Sequence, residues 1–193
     1  TLGILAVCLL VLLLAWANGA NDIAKGVATL VGNGLPTPGA PLLIGRYGFD
    51  LGVVLSASHN PYADNGIKFF GADGFKLSDD DEAAIEADLE APGTAVGTVT
   101  AFHGALEDYL RELHERFAAL DLAGRRIAID CANGATYRAA PEIFRRLGAD
   151  VAVLADRPDG RNINEGCGST HPEALQAAVL ACGADVGFAL DGD

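Results

Sequence analysis

From Arg125 to the end of the chain, apolar runs of strand length alternate with segments of helical spacing. Residues 126–131 read as a strand, 139–147 as a helix, 150–154 as a strand, 172–182 as a helix and 185–190 as a strand. That order admits few arrangements. Parallel strands need a crossover, the crossover is right-handed, and the pattern therefore predicts a doubly wound α/β layer. Sites in such layers lie beyond the carboxyl ends of the strands. The last strand leads into Asp191-Gly192-Asp193. Two carboxylates one residue apart share a side of extended chain, and Gly192 lets the backbone bend so that their oxygens converge. Hard cations such as Mg²⁺ favour that arrangement beside a phosphate. In isolation the triplet also reads as a solvated turn.

A second strand end lies upstream. Val53 to Leu55 is a short apolar run that stops in Ser56, Ala57, Ser58, His59 and Asn60, closed by Pro61. A serine just past a buried strand presents its hydroxyl where loop N–H groups and a histidine can reach a phosphate. Ser-His-Asn-Pro alone also fits an ordinary turn. Residues 42–77 as a whole read as sheet, with Ala72-Asp73-Gly74 a hairpin turn between 66–70 and 75–77. Residues 78–90 open with a serine and three aspartates and read as a solvated acidic helix, whose first-turn charge suits the helix dipole. A Gly- and Thr-rich connector follows over 92–100. Leu106, Tyr109, Leu110, Leu113, Phe117 and Leu120 then recur at helical spacing. His103 and His114, at the start and on the surface of that helix, read as structural or solvent-facing.

Half of the 193 residues are apolar, enough for a packed core, and the formal net charge is −13. Residues 1–34 contribute only Asp22 and Lys25 to that balance, so the excess acid lies downstream. An acidic surface without a basic stripe excludes nucleic acid as a partner. Cys8, Cys131, Cys167 and Cys182 have no zinc spacing and read as buried thiols of a reducing cytosol.

Residues 1–33 differ from the rest. Leu2 to Ala17 is uncharged, includes six consecutive aliphatics from Leu9 to Leu14, and carries Trp16 near its end. With the uncharged stretch running to Asn21, it approaches the ~20 residues of a membrane helix, so residues 1–21 are a candidate membrane-inserted segment. Ala17-Asn18-Gly19-Ala20-Asn21-Asp22 and Lys25-Gly26-Val27-Ala28-Thr29-Leu30 resemble the inorganic phosphate transporter family. That resemblance implies that Asn21 and Asp22 line a phosphate and ion path in a broken helix. Asp22 also reads as a helix cap. Glycines and prolines between Asn33 and Pro41 break any regular element.

Ser56-Ala57-Ser58-His59-Asn60-Pro61 followed by Asn65-Gly66-Ile67-Lys68 resembles the phosphoserine loop of the α-D-phosphohexomutases, and Leu35-Pro36-Thr37-Pro38-Gly39 resembles the segment before it. Asp130-Cys131-Ala132-Asn133-Gly134-Ala135-Thr136-Tyr137, and the run from Pro158 through Asn162-Ile163-Asn164 to Cys167-Gly168-Ser169-Thr170-His171-Pro172, are similar to the phosphoglucosamine mutase branch. From their residue types alone the latter are turns and helix caps, with His171 a cap.

The resemblance implies an α/β fold made of partial first and second domains over 35–103 and 104–193, cytoplasmic, with the hydrophobic helix over 1–33 added in front. It implies that Ser58 carries the transferred phosphoryl group and that Ser58, Asp191 and Asp193 hold Mg²⁺. Lys68 and His59 are the candidates for proton handling or for gripping the phosphate, with loop shaping the other role for His59. The implied reaction interconverts glucosamine 6-phosphate and glucosamine 1-phosphate, primed by a hexosamine 1,6-bisphosphate, with a phosphosugar as partner. Phosphomannomutase or phosphoglucomutase activity is the alternative within the family, and a phosphate transporter the alternative outside it. The family motif runs on as Asp-Gly-Asp-Gly-Asp-Arg, whereas this chain stops at its second aspartate and starts at Thr1. It therefore reads as a piece of a fused or misassembled reading frame, inactive alone.

Overall fold

The structure, a computed structural model, describes residues 40–88, 98 and 100–193. The candidate membrane helix, with Asn21 and Asp22, lies outside the described residues, as do Cys8 and most of the connector over 92–100. Among the described residues no helix is long and apolar enough to cross a membrane.

Helix α1, Ala40–Tyr47, corrects the expectation of sheet from residue 42. A short apolar run does not distinguish strand from helix, and the flanking residues decide. Pro41 falls in the first turn, where no N–H is needed. Gly48 ends the helix at φ +65° and donates its N–H to the Ile44 carbonyl at 2.9 Å. Leu43 and Ile44 are adjacent and both fully buried, which helical geometry allows and strand alternation does not.

Strand β1, Leu51–Ser56, pairs antiparallel with β2, Gly66–Gly71, in a register that sets Val54 opposite Lys68 and Ser56 opposite Gly66. Val54, Ser56, Lys68 and Phe70 therefore share one face. Phe70 and Val54 seal its inner part, leaving Ser56 and Lys68 toward the loop end. The Asp73-Gly74 turn forms as the sequence predicts: Gly74 takes φ +80°, and Asp73 Oδ1 accepts the Phe75 N–H at 3.0 Å. The strand expected after it shrinks to a single bridge between Phe70 and Lys76. Helix α2, Asp79–Asp88, starts behind Ser78, whose hydroxyl accepts the Asp81 N–H at 3.2 Å and so caps it.

Helix α3, Ala105–Arg116, precedes the alternating region: β3, Arg126–Asp130; α4, Ala139–Arg146; β4, Asp150–Leu154; α5, Glu173–Cys182; β5, Val186–Ala189. The three strands are parallel in the order β4-β3-β5, as the sequence pattern requires. Phe144 of α4 stacks on Phe188 of β5 with ring centroids 5.6 Å apart. A Cβ at the neighbouring Gly187 would meet Val179 of α5 at 2.6 Å. Successive strand residues face opposite ways, so α4 and α5 cover opposite faces of the sheet. The chain first moves from β3 to β4 and then returns to the far side of β3, so a switch point lies between β3 and β5. His103 and His114 are exposed, as expected.

One buried cluster joins the two parts, running from Leu43, Ile44, Val54 and Phe70 through Tyr109 and Leu110 of α3 to Ile127, Ile129 and Phe144. Within it, burial pushes the Cys131 thiol up to about 12, with the Asp156 and Asp130 carboxylates adding to the shift. Burial also pushes the Tyr109 phenol up to about 12. Both folded-state values exceed the ordinary ones, so the folded chain keeps protons that the unfolded chain releases. The associated stability is complete below about pH 9 and is lost as pH rises toward 12. The unfolding free energy from urea titration is expected to fall by about 3 kcal/mol between pH 8 and pH 10.5. A profile that stays flat over that interval contradicts the burial of these two groups.

Candidate functional site

Two loops meet where β1 and β5 end. In the first, Ser58 takes a left-handed backbone at φ +52°, and Asn60 N–H donates to the Ala57 carbonyl at 2.9 Å to close the turn. In the second, Gly192 N–H donates to the Ser58 carbonyl at 2.9 Å. Ser58 N–H donates in return to Asp193 Oδ1 at 3.1 Å. The loops are thus paired head to head, and Ser58 Oγ lies 3.4 Å from Asp191 Oδ2, to which it donates. Asp193 N–H donates to Asp191 Oδ1 at 3.2 Å, which orients the first carboxylate through the second residue.

Lys68 reaches this junction from the neighbouring strand. Its ammonium donates to Ser56 Oγ at 3.0 Å and to Asp193 Oδ2 at 3.2 Å, with both partners of the ion pair largely shielded from solvent. Ser56 donates its own hydroxyl to Asp193 Oδ1. Asp193 is consequently fixed by a backbone N–H, a hydroxyl and an ammonium, while Asp191 faces Ser58 Oγ. Two carboxylates against one ammonium leave a net negative charge beside a hydroxyl. The donors are hard oxygens, and among the described residues no group of three His, Cys, Asp or Glu side chains surrounds a point that could hold a metal. That chemistry suits a cation such as Mg²⁺, which takes one or two carboxylates and completes its shell elsewhere.

The structure brings together Ser58, Lys68, Asp191 and Asp193 from the sequence-derived candidates. It leaves His59 outside: the imidazole is exposed and has no hydrogen-bond partner among the described residues. His171 does not cap α5. It is exposed, and Pro172 occupies the N-cap position without a side-chain cap. Cys167 is a buried thiol, pushed above its ordinary value by burial and the nearby Asp130 and Glu165 carboxylates, which disfavours a nucleophilic thiolate.

Several supporting residues were not legible as such. Asn164, 9% exposed, donates Nδ2–H to the carbonyls of Ser58 at 2.7 Å and Asn60 at 2.8 Å. Asn133 and Gly134, read as a turn, sit beneath the second loop: Ala135 N–H donates to the Gly192 carbonyl at 2.9 Å. A Cβ at Gly134 would come within 2.5 Å of the Gly192 backbone. Asp130 is fully buried and accepts the N–H groups of Ala132 and Gly168, each at 2.9 Å, tying the end of β3 to the 166–168 loop. The signal for Asn164 was its place in Asn-Ile-Asn; its target more than 100 residues away carries no local pattern.

Two family models match the chain: phosphoglucomutase/phosphomannomutase alpha/beta/alpha domain I over residues 15–95, and domain II over residues 99–193. The first runs across much of the segment that resembles a phosphate transporter, and nothing in these matches supports a transporter. Phosphoglucosamine mutase from Deinococcus deserti is 50% identical over 184 residues, which cover 92% of this chain and 41% of that protein. Phosphoglucosamine mutase from Cereibacter sphaeroides is 51% identical over 183 residues, covering 90% and 40%. The chain thus spans about two fifths of the length of the curated relatives it matches. A crystal structure of a phosphoglucomutase/phosphomannomutase family protein from Burkholderia thailandensis aligns with a TM-score of 0.66 at 25% identity, over 82% of this chain and 37% of that one.

The close fit at Gly192 is testable. An added Cβ would lie 2.6 Å from Ile163 Cδ1 and 2.7 Å from the Ser58 carbonyl oxygen, and backbone cannot yield as a side chain does. Gly192→Ala is expected to cost about 1–3 kcal/mol in urea unfolding, as overpacking does. An unchanged midpoint contradicts the contact between the loops.

Proposed function

Because the chain belongs to the phosphoglucomutase/phosphomannomutase family and matches its first two α/β domains, we propose that Ser58 is the phosphoryl carrier of a phosphoglucosamine mutase. In the whole protein the reaction interconverts glucosamine 6-phosphate and glucosamine 1-phosphate. The observation that carries this reading is the left-handed Ser58, pinned by Gly192 so that its hydroxyl faces Asp191. The names of the curated relatives, at about half identity, favour an amino sugar over the mannose and glucose phosphates that other family members handle.

A hexosamine 1,6-bisphosphate primes the cycle. The Ser58 oxygen forms a bond to phosphorus as the bond from phosphorus to the sugar oxygen breaks, and the proton leaving the serine ends on that sugar oxygen. Asp191 Oδ2 is the group placed to accept the Ser58 proton in the hydrogen bond that starts this exchange. Lys68 holds Asp193 in place and adds positive charge beside the phosphoryl group. His59, exposed and without a hydrogen-bond partner among the described residues, is free to meet the sugar phosphate. Ser58, Asp191 and Asp193 would hold Mg²⁺, which, when bound, offsets charge on the transferring oxygens. Holding carrier and acceptor in one geometry supplies the rest of the acceleration.

In the protein extended to the full length of its relatives, Ser58→Ala and Asp191→Ala are each expected to lower glucosamine 1-phosphate formation at least about 1000-fold. The assay couples that product to a uridylyltransferase. Undiminished turnover by Ser58→Ala rules out the carrier role. Faster turnover of mannose or glucose phosphates rules out the amino-sugar assignment.

A further inference from the structure

We propose that Asn164 is a positioning residue for Ser58: its carboxamide latches the serine loop onto the parallel-sheet domain and holds the carrier in its left-handed turn. The two Nδ2–H groups donate to the carbonyls of Ser58 and Asn60, residues 106 and 104 positions away. These carbonyls flank His59, so the latch grips the turn on both sides of its tip. The Ser58 carbonyl also accepts the Gly192 N–H, and its two lone pairs are then both used.

The latch is itself held firmly. Asn164 takes φ +58°, a conformation that most L-residues adopt only at a cost and that Asn tolerates best. Its own N–H donates to the Ala132 carbonyl at 2.9 Å, on the loop that follows β3. The adjacent Ile163 packs against Gly192. Residues 163 and 164 therefore brace the two halves of the site at once, Ile163 by contact with the carboxylate loop and Asn164 by hydrogen bonds to the serine loop. An amide is required at this place. It offers two donors to two carbonyls, where a carboxylate of the same shape offers none and would face their negative ends.

The consequence for phosphoryl transfer rests on the reading of Ser58 as carrier; the latch itself does not. Two variants separate backbone from side chain. Asn164→Gly accepts the positive φ without strain and removes the donors, and Asn164→Asp keeps shape and backbone preference while removing them. Amide hydrogen exchange followed by NMR on the full chain is expected to quicken at least tenfold at Ser58 and Gly192 in both variants, with Ala128 and Ile129 of β3 unchanged. In the protein extended to the full length of its relatives, uptake of a phosphoryl group by Ser58 from hexosamine 1,6-bisphosphate, followed by mass spectrometry, is expected to slow at least tenfold without a change in the half-saturating bisphosphate concentration. Unchanged exchange at Ser58 and Gly192 overturns the proposal. Acceleration that extends equally to β3 in both variants also overturns it, since Asn164 would then support the whole fold. If the unsubstituted protein at the full length of its relatives takes up no phosphoryl group at Ser58, the carrier reading fails, and the exchange pattern alone decides the latch.

Discussion

The carbonyl of Ser58 accepts two hydrogen bonds from the parallel-sheet part of the chain, from Gly192 N–H at 2.9 Å and Asn164 Nδ2–H at 2.7 Å, and the site depends on them. Each is worth only about 1 kcal/mol net, but an unpaired partner in a shielded junction costs more than that. Their effect is geometric. They set the ends of two strands from different sheets face to face, so that the Ser58 hydroxyl meets Asp191 and the Ser58 N–H meets Asp193 within hydrogen-bonding distance. The common apolar cluster beneath, from α1 through α3 to β3, supplies the rigid base that makes such a narrow pairing reproducible.

Charge follows from the same arrangement. The chain carries a strong acidic excess, yet the carboxylate beside Ser56 is matched by Lys68, which the β1–β2 register places on the Ser56 face. A one-residue slip of that hairpin would turn Lys68 to the other face and leave Asp193 unpaired. The loop that joins β1 to β2 and carries Ser58 is thus linked through this register to the electrostatics of the site. Glycine at 192 and 134 has a comparable role: a side chain at 192 would meet the Ser58 carbonyl and Ile163, and one at 134 would meet the Gly192 backbone from beneath.

Much of this was legible in the residues. Periodicity identified the three parallel strands and their helices, because that signal is local and repeats along each element. The Ser58 loop and the Asp191-Gly192-Asp193 turn stood out as strand ends, and the geometry does bring Ser58, Lys68, Asp191 and Asp193 together. Helix α1 was missed because a few adjacent apolar residues carry no period, and Pro41 and Gly48 as its start and stop were the better guide. The third strand of the hairpin was over-read because apolar residues after a good turn do not ensure a ladder. Asn164 was hidden for a different reason: its partners are carbonyls of a distant loop, and backbone acceptors leave no mark in sequence.

The measurement that bears most directly on Ser58 is site mapping of the phosphoryl group. The protein extended to the full length of its relatives is incubated with a hexosamine 1,6-bisphosphate, digested and examined by peptide mass spectrometry, with Ser56 as the internal control two residues away. The account predicts phosphate on Ser58 and none on Ser56, since Ser56 is engaged by both Lys68 and Asp193. Phosphate on Ser56, or an unmodified Ser58, would contradict it.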